Sequence, residues 1–94
     1  MDVSIRSEVN AVKDQVSCDL AGESVILNLK NGTYYGLNPM GAWIWNHIQQ
    51  PSIVEDIQSL LLNEFDVEAE RGEKDLLALL NDLAKEGLIE VKDE

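Results

Sequence analysis

The sequence has little of what several classes of protein require. It holds one cysteine, Cys18, so no disulfide forms within the chain, and a reducing compartment is expected. No apolar run approaches the roughly 20 residues that span a bilayer. The first ten residues, MDVSIRSEVN, lack the basic and apolar regions of a signal peptide. Together these absences predict a cytoplasmic protein without a membrane partner.

Basic residues are also scarce, with 7 Lys and Arg against 18 Asp and Glu, a net charge of −11. Residues 52–94 carry thirteen acids and four bases, which gives −9 of that total. Nucleic-acid binding needs a basic stripe that replaces phosphate counterions, so no nucleic-acid partner is expected. A cationic partner suits this charge. A solvated acidic helical face that only aids solubility suits it equally well.

Residues that would carry catalysis or hold a metal are isolated from one another. His47 is the only histidine and has no cysteine, serine or second histidine at a catalytic spacing, so a structural role is expected. Cys18 alternates with Val16 and Leu20, which predicts a buried small hydrophobe rather than a reactive thiolate. The acids of residues 64–70 lack the spacing of a calcium loop. We therefore expect no enzyme, no metal site and no cofactor.

Alternating apolar residues in the first half of the chain predict strands. One strand is expected at 15–21 and a second at 24–30. Asn31-Gly32 is a strong hairpin signal because both residues tolerate positive φ, and Thr33–Leu37 then forms the return strand. The prediction is a three-stranded antiparallel meander. Residues 1–13 are ambiguous between a frayed helix and another strand.

After Asn38 the apolar period changes to that of a helix. Asn38 is placed to cap a first helix that begins at Pro39 and ends before Pro51. Ser52 and Glu55 have the spacing of a capping box, which predicts a second helix from Ser52 to about Glu64. The residues expected to face inward from this segment are Ile53, Ile57, Leu60 and Leu61.

The last part of the sequence predicts a third helix and a short strand. The helix is expected from about Ala69 to Glu86, with Gly87 as its C-terminal stop. Leu88–Val91 reads as a closing strand. The resulting fold class is α+β, a winged helix-turn-helix-like single domain over residues 1–94. It has a three-stranded antiparallel sheet followed by three helices and a C-terminal strand.

The return strand is a candidate docking edge. Edge strands carry unpaired N–H and C=O groups that accept an extended peptide, and Gly36 allows another backbone to approach closely. In the alternative arrangement the first or the terminal strand covers this edge. Both arrangements fit the sequence.

Several motifs together resemble one family. The run Asn28-Leu29-x-x-Gly32-x-Tyr34-Tyr35-Gly36-Leu37-Asn38-x-x-Gly41-x-x-Ile44-Trp45 is similar to the signature of PqqD-like proteins. Later matches to the same pattern are Val54-Glu55-Asp56-Ile57, then Asp75 with Leu79-Leu80-x-x-Leu83, and Gly87-Leu88-Ile89-Glu90-Val91. The resemblance covers residues 15–92. Such domains are RiPP recognition elements, which bind the leader segment of a ribosomally synthesised precursor peptide.

The resemblance implies where a leader would bind. The leader would add as an antiparallel strand beside the third strand, with its side chains in a cleft against the third helix. Ordinary core packing is the alternative for Leu77. The implied peptide-binding residues are Thr33, Tyr34, Tyr35, Gly36, Leu37, Arg71, Lys74, Leu77, Ala78, Asn81 and Lys85.

Trp43 departs from the family pattern, which often has a polar residue there, whereas the pattern makes Trp45 a core residue. Trp43 either packs against the N-terminal segment or contacts a partner protein.

The stretch Tyr34–Pro39 resembles the discrete leader-binding proteins of lasso-peptide clusters, which implies a separate leader peptidase as a second partner. The alternative is a PqqD-like peptide chaperone for a radical-SAM or other RiPP maturase. A winged-helix DNA-binding regulator suits the order of elements, but the net charge opposes it.

Overall fold

The computed structural model describes residues 3–13, 15–20 and 23–92. Within these ranges the chain forms six strands and three helices, and no helix is long and apolar enough to cross a membrane. The fold is α+β, and its winged-helix-like order agrees with the prediction. The elements are β1 (Glu8–Ala11), β2 (Gln15–Leu20), β3 (Glu23–Asn28), β4 (Tyr34–Leu37), α1 (Pro39–His47), β5 (Ser52–Ile53), α2 (Val54–Glu64), α3 (Ala69–Lys85) and β6 (Ile89–Lys92).

The predicted meander is present as an antiparallel sheet in the order β2-β3-β4. Its second connection is longer than the two-residue turn that Asn31-Gly32 suggests. β3 ends at Asn28, whose carbonyl accepts from the Gly32 N–H at 2.8 Å. The Asn28 side chain also accepts from the Lys30 N–H at 2.9 Å, so the loop spans residues 29–33. Gly32 supplies the positive φ that this loop needs, at 71°.

A second antiparallel sheet, in the order β5-β1-β6, resolves the ambiguity of the N-terminal segment. β1 is its central strand, with Glu8 opposite Lys92 on one side and Ile53 on the other. The partners of β1 are far away in sequence, so the local pattern of residues 1–13 carried no sign of them. This sheet brings residues 8–11 and 89–92 beside the start of α2.

The observed starts of α1 and α2 show which of the two predicted helix caps is present. The cap of α1 is confirmed, because the Asn38 side chain accepts from the Gly41 N–H at 2.7 Å. The capping box at Ser52 is wrong. Ser52 pairs with Val9 in the second sheet, and its hydroxyl donates to the His47 carbonyl at 3.1 Å, so α2 begins at Val54.

The C-terminal stop of α3 is confirmed by Gly87, whose φ is 73°. The Leu88 N–H then returns to the Leu83 carbonyl at 2.9 Å, which satisfies one of the last carbonyls of the helix. The chain leaves α3 directly into β6.

The core lies between the two sheets and the three helices. Leu76, Leu80 and Leu83 of α3 are fully buried in it, and Trp45 is buried as the family pattern implied. Leu60, expected to face inward from α2, is 48% exposed and is an incorrect prediction. Ile57 and Leu61, which are four residues apart and so one turn from each other, occupy the inner face of this short helix together with Val54.

Cys18 is exposed, so its predicted burial is wrong. The register of β2 is the reason. Ser17 lies opposite the buried Ile26, and Cys18 lies opposite Val25 on the other face of the sheet. Alternation along a strand then turns Cys18 away from the core.

Candidate functional site at an open strand edge

β4 is an edge strand. Among the described residues it pairs with β3 and with no other strand. The first sheet therefore ends on this side with neither the N-terminal nor the C-terminal strand beside it, since β1 and β6 belong to the second sheet. Of the two arrangements that the sequence allows, the structure contains the open one.

The pairing of β4 fixes which of its backbone groups face outward. The Asn28 N–H donates to the Thr33 carbonyl at 2.9 Å, and Ile26 lies opposite Tyr35 two positions along the ladder. In an antiparallel pair, hydrogen-bonded and non-hydrogen-bonded positions alternate. Tyr34 and Gly36 therefore direct their N–H and C=O groups away from β3, towards the open edge.

Side chains of β4 also alternate between two environments. Tyr35 is half-buried and Leu37 is buried, whereas Tyr34 and Gly36 are exposed on the opposite face of the sheet. A Cβ atom added at Gly36 would meet nothing within 4 Å. The open edge is consequently free of steric obstruction at its centre.

A groove of about 350 Å³ runs beside this edge, between β4, α1 and α3. Its floor is apolar, with Ile44, Met40 and Leu79, and its wall on α3 carries two aspartates. The full lining is Tyr35, Asn38, Met40, Gly41, Ile44, Asp75, Ala78, Leu79 and Asp82. A strand added along β4 would project every second side chain into this groove.

Tyr35 connects the strand to the acidic wall. Burial raises the pKa of its phenol above the ordinary value of 10.0. The carboxylates of Asp82 and Glu86 raise the same pKa further, and so does the hydrogen bond between the phenol and Asp82. The phenol is therefore protonated at neutral pH, close to the carboxylate of Asp82 at the groove wall.

The residues that the family resemblance implied on β4 are largely brought together. Tyr34, Tyr35 and Gly36 lie along the open edge, and Leu37 is part of the core beneath it. Thr33 is the exception, because its N–H and its hydroxyl both donate to the Asn31 side chain in the loop, at 3.0 and 2.7 Å.

The implied residues of α3 lie mostly outside the lining of the groove. Ala78 is in the lining, whereas Arg71, Lys74 and Lys85 are exposed elsewhere on the helix. Arg71 is 3.9 Å from Asp75 in a solvent-exposed ion pair, which contributes little to stability. Their contact with a peptide stays a prediction.

Leu77 and Asn81 lie on the flank of α3 that bears the N-terminal segment. Leu77 is half-buried against the core, and the Asn81 side chain accepts from the Val3 N–H at 2.8 Å. The groove flank instead carries Asp75, Leu79 and Asp82. The sequence signal for this flank is the i, i+4, i+7 spacing of these three residues.

Trp43 packs within the chain. Its ring lies 4.0 Å from that of His47 and meets Phe65 edge-to-face at 5.7 Å between centroids. A His47 ring nitrogen lies 3.0 Å from the Trp43 carbonyl oxygen. This packing explains Trp43 without a partner protein, and a partner contact there stays a prediction.

Metal-ligating side chains do not converge in the part of the chain that the structure describes. No group of three or more His, Cys, Asp or Glu residues there has the geometry to hold a metal ion. The groove therefore offers backbone pairing, apolar contact and negative charge as its means of recognition.

The fold and the edge define a class, the small winged-helix-like domains whose sheet ends in an unpaired strand beside a helical groove. Within that class, residues 23–89 match the family described as Coenzyme PQQ synthesis protein D (PqqD). The chain belongs to the PqqD family.

Two solved structures are similar to this chain. One is TbiB1 in complex with the TbiA(beta) leader peptide, 32% identical, with a TM-score of 0.76 over 86% of this chain and 94% of that one. The other is a lasso peptide synthetase B1 complexed with the leader peptide, 23% identical, with a TM-score of 0.76 over 87% and 96%. This second likeness shows the fold alone. No curated protein matches the chain significantly.

Proposed function

We propose that this chain is a RiPP recognition element that binds the leader segment of a precursor peptide by strand addition at β4. The observation that carries the proposal is the open edge, where Tyr34 and Gly36 present unpaired backbone groups beside the groove. The likeness to TbiB1, a protein seen in complex with a leader peptide, supports the same reading.

The backbone and the groove have separate roles in this proposal. Main-chain hydrogen bonds to Tyr34 and Gly36 supply affinity that does not depend on the leader sequence. Alternate leader side chains enter the groove, where Met40, Leu79 and Ile44 offer apolar contact. Asp82, at the groove wall, favours a leader with a lysine or arginine in register with it.

The chain is proposed to act by binding alone, with a separate leader peptidase in the cytoplasm performing the chemistry. The stretch Tyr34–Pro39, which resembles the discrete leader-binding proteins of lasso-peptide clusters, favours lasso-peptide biosynthesis over service to a radical-SAM maturase. Delivery of the bound leader to that peptidase is part of the proposal.

The test removes one outward N–H from the edge. Gly36→Pro deletes the N–H that faces the leader, and proline is tolerated on an edge strand when its nitrogen faces solvent. We expect the affinity for a fluorescently labelled leader, measured by anisotropy, to fall at least about tenfold, because a backbone pair is lost and the ring blocks close approach.

Gly36→Ala is the matched control. It retains the N–H and adds a Cβ into open space, so leader affinity should change by no more than about twofold. Circular dichroism of both variants checks that the fold persists. Leader affinity that survives Gly36→Pro in a folded protein would disprove strand addition at β4.

A further inference from the structure

The first sheet has a second open edge, at β2. Within the ranges that the structure describes, β2 pairs with β3 alone, so the sheet ends there as it ends at β4. The six residues of β2 include no proline and no lysine, and their register with β3 contains no bulge. Proline, lysine and bulges are means by which proteins prevent pairing at a sheet edge. The edge of β2 is therefore able to pair with another strand.

The ladder fixes which backbone groups of β2 face outward. The Asn28 N–H donates to the Thr33 carbonyl, so the even-numbered residues of β3 bond to β4 and the odd-numbered ones bond to β2. Because Val25 lies opposite Cys18, the backbone of Cys18 faces β3 and that of Ser17 faces outward. Every second residue of β2, counted from Ser17 in either direction, faces outward in the same way.

Two buried polar atoms without a hydrogen-bond partner lie on this side of the fold. They are Gln15 Oε1, on β2 itself, and Trp45 Nε1, and no other buried side-chain nitrogen or oxygen of the described residues lacks a partner. Trp45 lines a pocket of about 220 Å³ between β2, β3 and α1, together with Ser17, Ser24 and Asn46. A buried polar group that stays unpaired costs free energy. The side of β2 is thus incomplete in a single copy of the chain.

The side of β2 is also the weakly charged part of the molecule. Of the net charge of −11, residues 52–94 carry −9 and residues 1–51 carry the remaining −2. The aspartates of the groove wall lie at the β4 end of the sheet, two strands or roughly 10 Å from β2. Both edges of the second sheet, β5 and β6, belong to the acidic half. Two copies therefore repel each other least when they meet at β2.

The sequence of β2 is complementary to itself. When two copies of QVSCDL run antiparallel about a two-fold axis at Cys18, Val16 lies opposite Leu20 of the other copy and Cys18 lies opposite Cys18. Ser17 then lies opposite Asp19, and the two outward-facing backbones exchange hydrogen bonds. Apolar residues are placed opposite apolar ones and polar residues opposite polar ones, and no two like charges are opposed.

We propose that two copies of this chain associate through β2, as an antiparallel pair with its two-fold axis at Cys18. Their sheets then form one sheet of six strands, whose outer ends are the two β4 edges. Both β4 edges stay open, so the dimer can bind a leader at each end. The second strand lies beside the pocket that Trp45 lines and brings further polar groups to it. The proposal does not rest on the function proposed above.

The dimer is expected to be weak. The paired stretch of six residues is about 20 Å long, and the contact is smaller than the roughly 800 Å² per partner of a standard interface. We therefore expect a Kd on the order of 0.1 mM. Sedimentation equilibrium of the reduced full chain from about 10 μM to about 1 mM should show the mean mass rising from one copy towards two.

A proline variant tests the backbone pairing. Ser17→Pro removes an outward N–H of β2 and should weaken association at least about tenfold, since proline is tolerated where the nitrogen faces solvent but cannot donate to a second copy. Ser17→Ala retains the N–H and should match the wild type within about twofold. Circular dichroism checks the fold of both variants.

A charge exchange tests the position of the axis, because a residue on a two-fold axis faces its own copy. Cys18→Lys and Cys18→Asp each place like charges opposite each other, so each variant alone should associate roughly fivefold more weakly than the wild type. An equal mixture of the two variants should recover association, because opposite charges then face each other. Cys18 is exposed, so both variants should fold as the wild type does.

Oxidation provides a third measurement. Opposed residues at a non-hydrogen-bonded position have Cα atoms about 4.5 Å apart, within the roughly 4.4–6.8 Å that a disulfide spans. Diamide takes up the two electrons and two protons that two Cys18 thiols release as they form a disulfide. On non-reducing gels the wild type should give the linked dimer at least about tenfold faster than Ser17→Pro, which has the same exposed thiol.

Every other outcome counts against the proposal. A wild type that is monomeric at about 1 mM overturns it, and so does a mixture of the charged variants that associates no better than its components. If Ser17→Pro does not fold, the charge exchange decides. A leader peptide that dissociates the dimer would move the interface to β4, and a leader affinity that falls in folded Ser17→Pro would assign β2 to the leader. Complete absence of leader binding would contradict the proposed function and leave the measurements on the dimer valid.

Discussion

Tyr35 is the residue at which strand, groove and charge meet. Its backbone pairs with Ile26 of β3, its side chain lines the groove, and its phenol lies close to the Asp82 carboxylate. A tyrosine on this face of β4 can reach α3, whereas Tyr34 on the other face stays exposed. Two adjacent tyrosines thus have different roles because a strand alternates its side chains.

The raised pKa of Tyr35 predicts a loss of stability in alkali. Burial and the nearby carboxylates disfavour the tyrosinate, so the folded chain holds the phenol proton more tightly than the unfolded chain. This contribution is complete below the unfolded pKa of about 10 and is lost as the pH rises through the higher folded pKa. The free energy of unfolding is measured with urea at several pH values between about 8 and 11, each adjusted to within about 0.1 unit. It should decline more steeply with pH in the wild type than in Tyr35→Phe. Parallel pH profiles would contradict the assigned environment.

At the scale of the element, α1 shows how a single capping residue determines where a helix begins. The Asn38 side chain caps α1 while its position also lines the groove, so the end of β4 and the start of α1 are fixed by one residue. A loosened cap would therefore disturb the groove as well as the helix.

Removal of this cap should destabilise the protein measurably. Asn38→Ala leaves an N–H of the first turn without its partner and should lower the free energy of unfolding by about 1 kcal/mol. Asn46→Ala, at an exposed position within the same helix, should change it by less than about 0.5 kcal/mol. Chemical denaturation of both variants distinguishes them. Equal effects would mean that the cap contributes nothing specific.

Helix ends that depend on a residue of the same helix were predictable from the sequence. Elements that depend on pairing with a strand far along the sequence were not. Asn38 and Gly87 act on their own helix ends, and both are confirmed. The helix cap expected at Ser52 failed because β1, more than forty positions earlier in the printed sequence, recruits Ser52 into a strand.

The same limit applies to the candidate site. The open edge at Gly36 was among the predicted arrangements, since hairpin signals place β4 at the end of the meander. The packing of α3 against the rest of the fold decides which of its flanks faces that edge. This packing places Asp75 and Asp82 in the lining of the groove. Periodicity identifies the core stripe of a helix but does not say which polar flank has a neighbour.

At the scale of the whole molecule, charge is distributed unevenly. The negative excess lies in the half that forms α2, α3 and β6, and two of its acids line the groove. A field of this sign attracts cationic peptides and steers them towards the edge. It also opposes the DNA binding that a winged-helix-like fold would otherwise suggest.

Electrostatic steering should appear in the kinetics of leader binding. Raising ionic strength from about 0.01 M to about 1 M shortens the Debye length from about 30 Å to about 3 Å. The association rate of a leader that contains lysine or arginine should therefore fall at least about tenfold in stopped-flow measurements. The same leader with glutamine at those positions should associate slowly at every salt concentration. Identical salt profiles for the two peptides would show that charge has no part in recognition.

The pairing of β1 with β6 has a topological consequence. Glu8 and Lys92 lie opposite each other, and Cα atoms of paired antiparallel residues are about 5 Å apart. The backbone of residues 8–92 thus begins and ends at neighbouring points on one side of the fold. Such a unit can be inserted into a surface loop of a host protein. The two points at which the loop is cut then lie about as close together as the two strands of a hairpin, so the host fold is little disturbed. The same architecture is therefore suited both to a separate carrier and to a module built into an enzyme.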